Sequence, residues 1–193
     1  INAVALWSFD EGTGLTAYDQ SGNGNHGNLL SGVRWTTDSI SGYAVEFDGI
    51  DDKISVVKTP SVDLVNAVTL EAWVKRKSNT DGTIISRNGP FYLAVRNDRI
   101  WGGIYANAGS GNQWTEFGGS TFLQQNAWYK LKLTYDSSNI KLYVNDLLDG
   151  SMSKQGRMPV ISQQVWMGWG EPGQNQYFTG ILDDVKIYNS TKK

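Results

Sequence analysis

Apolar residues along this chain alternate with polar ones in short bursts, and no long stretch places them at helical spacing between caps. From Val68 to Val74, Leu70, Ala72 and Val74 alternate with Thr69, Glu71 and Trp73. Tyr129, Leu131, Leu133 and Tyr135 alternate with Lys130, Lys132 and Thr134, and Ile140, Leu142 and Val144 repeat the pattern. Shorter bursts occupy Ala3 to Phe9, Ala44 to Phe47, Ile54 to Val57, Phe91 to Val95 and Ile100 to Tyr105. Val165 with Met167, and Val185 with Ile187, complete the series. Successive side chains of a strand point to opposite faces, so each burst predicts a strand with one apolar and one wet face. Such strands stack as antiparallel sheets. Gly, Asn, Asp and Ser separate the bursts, and Asp136-Ser137-Ser138-Asn139 and Asn145-Asp146 carry hairpin-turn chemistry. The pattern predicts an all-β jelly-roll sandwich of two antiparallel sheets, with residues 1–193 as one domain.

Composition narrows the function. A chain of 193 residues can bury one sizeable core. Its 17 Lys+Arg against 19 Asp+Glu leave a net charge of -2 and no basic stripe, which argues against nucleic acid as a partner. Its apolar runs are too short to span a bilayer, so membrane insertion is not expected. The absence of cysteine excludes a disulfide scaffold, a zinc-thiolate site and a thiol nucleophile. Eight Trp and nine Tyr are many for this length, and they are the strongest pointer to function. The chain opens at Ile1 without a charged-then-apolar leader, and is read as a mature product or a domain of a larger extracellular protein.

The chain opens with Ala5-Leu6-Trp7-Ser8-Phe9-Asp10-Glu11-Gly12-Thr13-Gly14 and Asp19-Gln20-Ser21-Gly22-Asn23-Gly24-Asn25-His26-Gly27. Glu46-Phe47-Asp48-Gly49-Ile50-Asp51-Asp52, Leu70-Glu71-Ala72-Trp73-Val74-Lys75, Trp128-Tyr129-Lys130-Leu131 and Lys141-Leu142-Tyr143-Val144-Asn145 follow, and Phe178-Thr179-Gly180-Ile181-Leu182-Asp183-Asp184-Val185-Lys186-Ile187-Tyr188 closes the series. In this order the strings resemble the laminin G-like, concanavalin A-like jelly-roll domains. The resemblance spans nearly the whole chain and implies the fold, but the fold carries lectins, adhesion modules, accessory domains of glycanases and some catalytic domains. Asp146 departs from the pattern, which has Gly after Tyr-Val-Asn. Trp101, Trp114, Trp166 and Trp169 fall where the pattern demands no aromatic.

Glu46-Phe47-Asp48-Gly49-Ile50-Asp51 imitates the Glu-x-Asp-x-x-Glu strand of retaining glycanases. Its last position is the shorter Asp51, and Gly49 breaks the strand, so the string reads as a strand end and its turn. The lone His26 lies in a Gly/Asn loop and offers no Ser-His-Asp arrangement. Asp19, Ser21, Asn23 and Asn25 alternate as hard oxygen donors, but no closing Glu or flanking helix makes them a helix-loop-helix calcium loop. The family resemblance implies one structural Ca²⁺ near the chain ends, with Asp10, Asp19, Asn25 and Asp183 as candidate ligands. The alternative reading makes Asp19 and Asn25 turn-forming residues and Asp183 a strand cap.

Trp7, Trp35, Trp73 and Trp128 match family positions or lie beside core strands, and are assigned to structure. The other four are candidates for a sugar platform. Trp and Tyr offer flat apolar faces to the C–H patches of a sugar, while amide and charged side chains bond its hydroxyls. Trp114 lies in the polar stretch 108–116, Trp166 is out of phase with Val165 and Met167, and Trp169 lies in the loop 168–173. Trp101 and Tyr105 share strand parity, with Gly103 between them leaving room for a ligand ring. Arg87, Asn88, Arg96, Asn107, Gln113 and Glu116 are the polar partners expected nearby; Tyr92 and Tyr177 are further aromatic candidates. Arg87, Arg96 and Arg99 offer a cluster for a carboxylate or sulfate. The expectation is a noncatalytic, lectin-like module binding a poly- or oligosaccharide, extracellular or on a cell surface and fused to other domains. A protein-interaction, adhesion or spacer domain is the alternative, and a glycanase or lyase is disfavoured.

Overall fold

The computed structural model describes residues 3–109, 111–170 and 176–191. In chain order the strands are β1 (Ala5–Trp7), β2 (Thr16–Ala17), β3 (Gly27–Leu30), β4 (Arg34–Thr36), β5 (Ala44–Asp48) and β6 (Lys53–Val56). A 3₁₀ turn, Pro60–Val62, precedes β7 (Val68–Arg76), β8 (Gly82–Arg87), β9 (Phe91–Arg96), β10 (Arg99–Asn107) and β11 (Asn112–Gly118). β12 (Trp128–Tyr135), β13 (Asn139–Val144), β14 (Leu147–Ser153), β15 (Val165–Met167) and β16 (Thr179–Tyr188) follow. The first sheet runs β14-β13-β12-β7-β16-β5-β4, with β1 paired to β16. The second runs β11-β10-β9-β8-β15-β6-β3-β2. All pairings are antiparallel, as the alternating bursts predict.

Register decides which residues share the interior. Leu70 and Ala72 of β7 stand opposite Leu133 and Leu131 of β12, and all four are fully buried. The second sheet answers with Phe91, Leu93 and Val95 of β9, Ile100 and Ile104 of β10, and Ile54 and Val56 of β6. Trp7 is also fully buried, and its indole N–H donates to the Asn25 carbonyl at 2.8 Å. Each of these Leu, Ile, Val and Phe side chains contributes about 1.5–3 kcal/mol by leaving water.

Of the strands outside the predicted bursts, β2, β3 and β4 are only two to four residues long, and the longer ones, β8, β11 and β14, do not alternate in burial. β8 is central in its sheet and buries all six residues, with a register shift between Thr83 and Ile85. β11 and β14 are edge strands in which no residue is buried.

The Asn145-Asp146 turn has φ of 51° and 65°, the left-handed pair of a type I′ hairpin. Its Asp146 explains the departure from Gly. The carboxylate lies 3.0 Å from both Lys130 Nζ and Lys132 Nζ, and the Lys132 side chain is only 4% exposed. Further ion pairs cover the same outer face of the first sheet: Lys75 with Asp38 at 2.8 Å, Lys77 with Glu46 at 2.5 Å, and Lys130 with Glu71 at 3.7 Å. Trp73 and Trp128 lie half-buried on this charged surface. The outer face of the second sheet is of another kind.

Candidate functional site

On that face, residues of one parity line up across the strands. Glu116, Gly103, Tyr92 and Ser86 stand in successive register on β11, β10, β9 and β8. Trp166, Ser55, Asn28 and Thr16 continue the row across β15, β6, β3 and β2. The Trp114–Tyr105 pair lies on one side of this row, and Trp101 with Gly118 on the other. Neighbouring strands are ~4.8 Å apart, so β11 to β15 measures about 19 Å across. That span suits an oligomer better than a single small ring.

The aromatic rings form two groups. Trp114 packs on Tyr92 and Tyr105, with ring centroids 5.5 and 5.4 Å apart. The Arg96 guanidinium lies 4.9 Å from the Tyr92 ring centre, and the Tyr92 hydroxyl donates to Glu116 at 2.5 Å. Burial, with this bond to Glu116, pushes the Tyr92 phenol well above its ordinary pKa, so it stays a neutral donor. Arg96 also donates to Gln176 Oε1 at 2.9 Å. In the second group Trp166 meets Trp169 edge-on at 5.1 Å, and Tyr177 lies 6.4 Å from Trp169. Lys53 Nζ sits 5.4–5.8 Å from all three ring centres. Between the groups, the buried Ser86 donates to the Trp169 carbonyl at 3.0 Å. Trp101, Tyr105, Trp114, Trp166, Trp169 and Tyr177 are all neither buried nor fully exposed. Each keeps part of its surface open to solvent.

The structure therefore gathers Trp101, Tyr105, Trp114, Trp166, Trp169, Arg96 and Glu116 on one face, with Asn107 exposed at its end. Tyr92 and Tyr177 join them. Residues 171–173 of the Trp169 loop, and Ser110 of the 108–116 stretch, lie outside the described residues.

Four expectations are corrected. Arg87 is 1% exposed and clamps loops beneath the sheet. It donates to the Val62 carbonyl, to the Gln163 and Ile161 carbonyls at 3.0 and 2.9 Å, and to Asp63 at 2.6 Å. Gln113 pairs with the core residue Ala106 and so has the opposite parity to Trp114, while its carbonyl accepts from Lys154 at 2.9 Å. The space over Gly103 holds no ligand ring, because the Tyr92 ring fills it: a Cβ there would meet that ring within van der Waals distance. Gly118 is covered by the Trp101 indole in the same way. With Arg87 removed, the three-arginine cluster is not assembled. Arg96 stacks on Tyr92, and Arg99 donates to the Ser120 carbonyl. Periodicity could have found Lys53, because Ile54 and Val56 face the core and so turn Lys53 and Ser55 outward.

Asp19 and Asn25 share one hydrogen-bonded group, whereas Asp10 and Asp183 bond the backbone of the 40–43 loop, so the four do not gather in one group. Asp19 accepts from Leu6 N at 3.0 Å, Ser21 N at 2.9 Å, Ser21 Oγ at 2.8 Å and Asn25 N at 2.9 Å. Burial alone would raise its pKa, but these donors hold it below the ordinary value. Asn25 bonds Val4 O, Ser61 and Thr59. Asp183 accepts from Ile40 N at 2.8 Å, and burial pushes its carboxyl up to about 6 against that bond. Asp10 accepts from Tyr43 N at 3.2 Å. Anchoring of loops accounts for all four. His26 is used likewise, its Nδ1 accepting from Asp19 N at 3.0 Å. In the glycanase-like string, Glu46 is tied to Lys77, β5 ends at Asp48, and Asp51 lies in the turn that follows.

Comparison with known proteins agrees with this architecture. Residues 48–193 match the Laminin_G_3 family, described as the concanavalin A-like lectin/glucanases superfamily. The chain belongs to that family. A segment of the adhesion G-protein coupled receptor V1 of Danio rerio is 26% identical over 132 residues, covering 63% of this chain and 2% of the receptor. The binding domain of Paraclostridial Mosquitocidal Protein 1 superposes with a TM-score of 0.79 at 16% identity, over 100% of this chain and 50% of that one. Domain 4 of AbnA, a GH43 extracellular arabinanase from Geobacillus stearothermophilus solved with arabinotriose, superposes with a TM-score of 0.73 at 19% identity. That match covers 100% of this chain and 94% of the domain. At such identities the likeness shows the fold. No helix among the described residues is long and apolar enough to cross a membrane.

Proposed function

We propose that the chain is a noncatalytic carbohydrate-binding module that seats an oligosaccharide across the strands of the second sheet. The observation that carries this reading is the concentration of seven aromatic side chains on one outer face, against ion pairs on the other. Trp114 with Tyr105 forms one stacking surface, and Trp166 with Trp169 and Tyr177 forms the second. Glu116, Arg96 and Gln176 supply directional bonds beside the first, and Lys53 supplies a cation at the second. Separate stacking sites joined by polar groups recognise a chain of sugars through several weak contacts, and attachment to a larger protein multiplies them. The arabinanase domain solved with arabinotriose supports a sugar ligand, and with the adhesion receptor supports an extracellular or surface setting within a larger protein.

The test is tryptophan fluorescence against a panel of neutral and acidic oligosaccharides. A saturable shift with one glycan class, lost in Trp114→Ala, supports the reading. A flat response from a cooperatively folded protein refutes it. The same face would then be assigned to a protein partner, since Trp, Tyr and Arg also dominate protein interfaces.

A further inference from the structure

The turn from β5 to β6 carries the chain from the first sheet to the second, and it gathers acid side chains. Gly49, at φ 80°, lets the backbone reverse just after Asp48. One carboxylate oxygen from each of Asp48, Asp51 and Asp52 then lies within 4.8 Å of the others. Three like charges so close repel one another unless something offsets them.

The hydrogen bonds leave each residue an oxygen to offer. Asp48 Oδ1 accepts from Ile50 N at 2.8 Å, and Asp52 Oδ2 accepts from Asp48 N at 2.9 Å. Asp52 is 3% exposed, yet its Oδ1 is buried with no hydrogen-bond partner. An unpaired buried carboxylate oxygen is costly and calls for a cation or a proton. Asp52 and Asp48 line a cavity of about 150 Å³ together with Arg34, Glu46 and Phe47. Glu46 is already paired with Lys77, and Arg34 is exposed.

We infer that Asp48, Asp51 and Asp52 bind a hard divalent cation, Ca²⁺ by its tolerance of irregular oxygen shells, with water completing the coordination. The ion would sit beside two sheet-crossing links. One is the 49–52 turn itself; the other joins β3 to β4, where a Cβ on Gly32 would lie 3.1 Å from Asp52 Oδ1. Its role is to brace both links, separately from the aromatic face. With three carboxylates and a nearby arginine the affinity falls in the weak range of extracellular modules, a Kd of about 10⁻⁴–10⁻³ M.

Calorimetric titration of the chelator-treated protein with CaCl₂, paired with thermal melting, tests this. Wild type should bind with one-site stoichiometry and melt several degrees higher at ~10 mM Ca²⁺. Asp52→Asn should abolish both effects. Asp51→Asn changes an exposed residue and keeps the fold, and it should weaken binding at least about five-fold. Arg34→Gln removes a like charge beside the ion and should tighten binding. Absence of heat and of a melting shift in wild type overturns the assignment. So does binding that survives unchanged in both Asp variants, which would place the ion elsewhere, near Asp19 or Asp183 for example.

Discussion

Replacing Arg87 with Ala should unfold the protein more easily without touching the aromatic face. The guanidinium bonds three carbonyls from two loops and the Asp63 carboxylate, in a setting 1% exposed. Breaking a buried ion pair by removing one partner costs about 3–5 kcal/mol. The Asp63 side chain is 20% exposed, which moves that figure to its lower end because water re-solvates the freed carboxylate. The three carbonyls lose donors worth about 1 kcal/mol each, partly recovered by water that enters the space. A net loss of about 4 kcal/mol follows, and a chain of this size shifts its Tm by about 2–4 °C per kcal/mol, or about 8–16 °C in all.

Thermal melting by circular dichroism at neutral pH is the assay, with Arg87→Lys as companion. The ammonium cannot reach all four acceptors, so Lys should recover only part of the loss. The clamp also has a pH signature. Burial raises the Asp63 pKa, but the Arg87 bond and charge, helped by Lys58, outweigh it and hold the carboxyl below its ordinary 3.8. The folded state thus gains stability above that value and loses it as pH falls through the lower, folded pKa. Arg87→Ala should flatten this acid limb. A melt within about 2 °C of wild type would refute the reasoning. Loss of glycan binding with an unchanged melt would return Arg87 to the binding face.

Other consequences follow from the same packing. Asp146→Gly suits the left-handed turn better but strips Lys132 of its partner, so it should lower stability by about 1–2 kcal/mol in urea unfolding. Asp146 is held below its ordinary pKa by its bonds to Lys132 and Lys130, so wild type but not Asp146→Asn should lose this contribution as pH falls below 3.8. Gly103→Ala should displace the Tyr92 ring, destabilise by about 1–3 kcal/mol through overpacking, and weaken glycan binding although no exposed residue has changed. Tyr92→Phe leaves the ring in place and removes only the bond to Glu116, so its stability loss should stay near 1 kcal/mol in the same unfolding assay.

The fold was legible wherever one strand face meets the core and the other meets water. β13 follows the alternation residue by residue and β7 follows it from Leu70 onward, while β12 keeps the apolar parity although Lys132 and Thr134 are buried as well. β8 was hidden because Gly82–Arg87 is buried on both faces, and β11 because Asn112–Gly118 is an edge strand with few core contacts. Parity also carried the site. Trp101, Tyr105 and Trp166 emerge on the expected face because the alternation of β10 and β15 fixes it. Arg87 misled because an arginine beside sugar-type aromatics looks solvent-facing in sequence, whereas its partners are carbonyls of loops that meet it only in three dimensions. Gly103 misled for a related reason. The cleft it leaves is real, but Tyr92, on the neighbouring strand, reaches it first.

Oligosaccharide titration of four single variants, read by calorimetry, separates the aromatic face from the rest of the molecule. Trp114→Ala and Trp166→Ala remove half-exposed rings from the second sheet, and Trp73→Ala and Trp128→Ala do the same on the ion-paired face of the first. Losing a stacking ring is worth about 1.4 kcal/mol or more, a ten-fold weakening. Both second-sheet variants should show it while the two first-sheet variants bind as wild type. Equal losses at Trp73 and Trp114, or no saturable binding by wild type to any glycan, would contradict a carbohydrate site on this sheet.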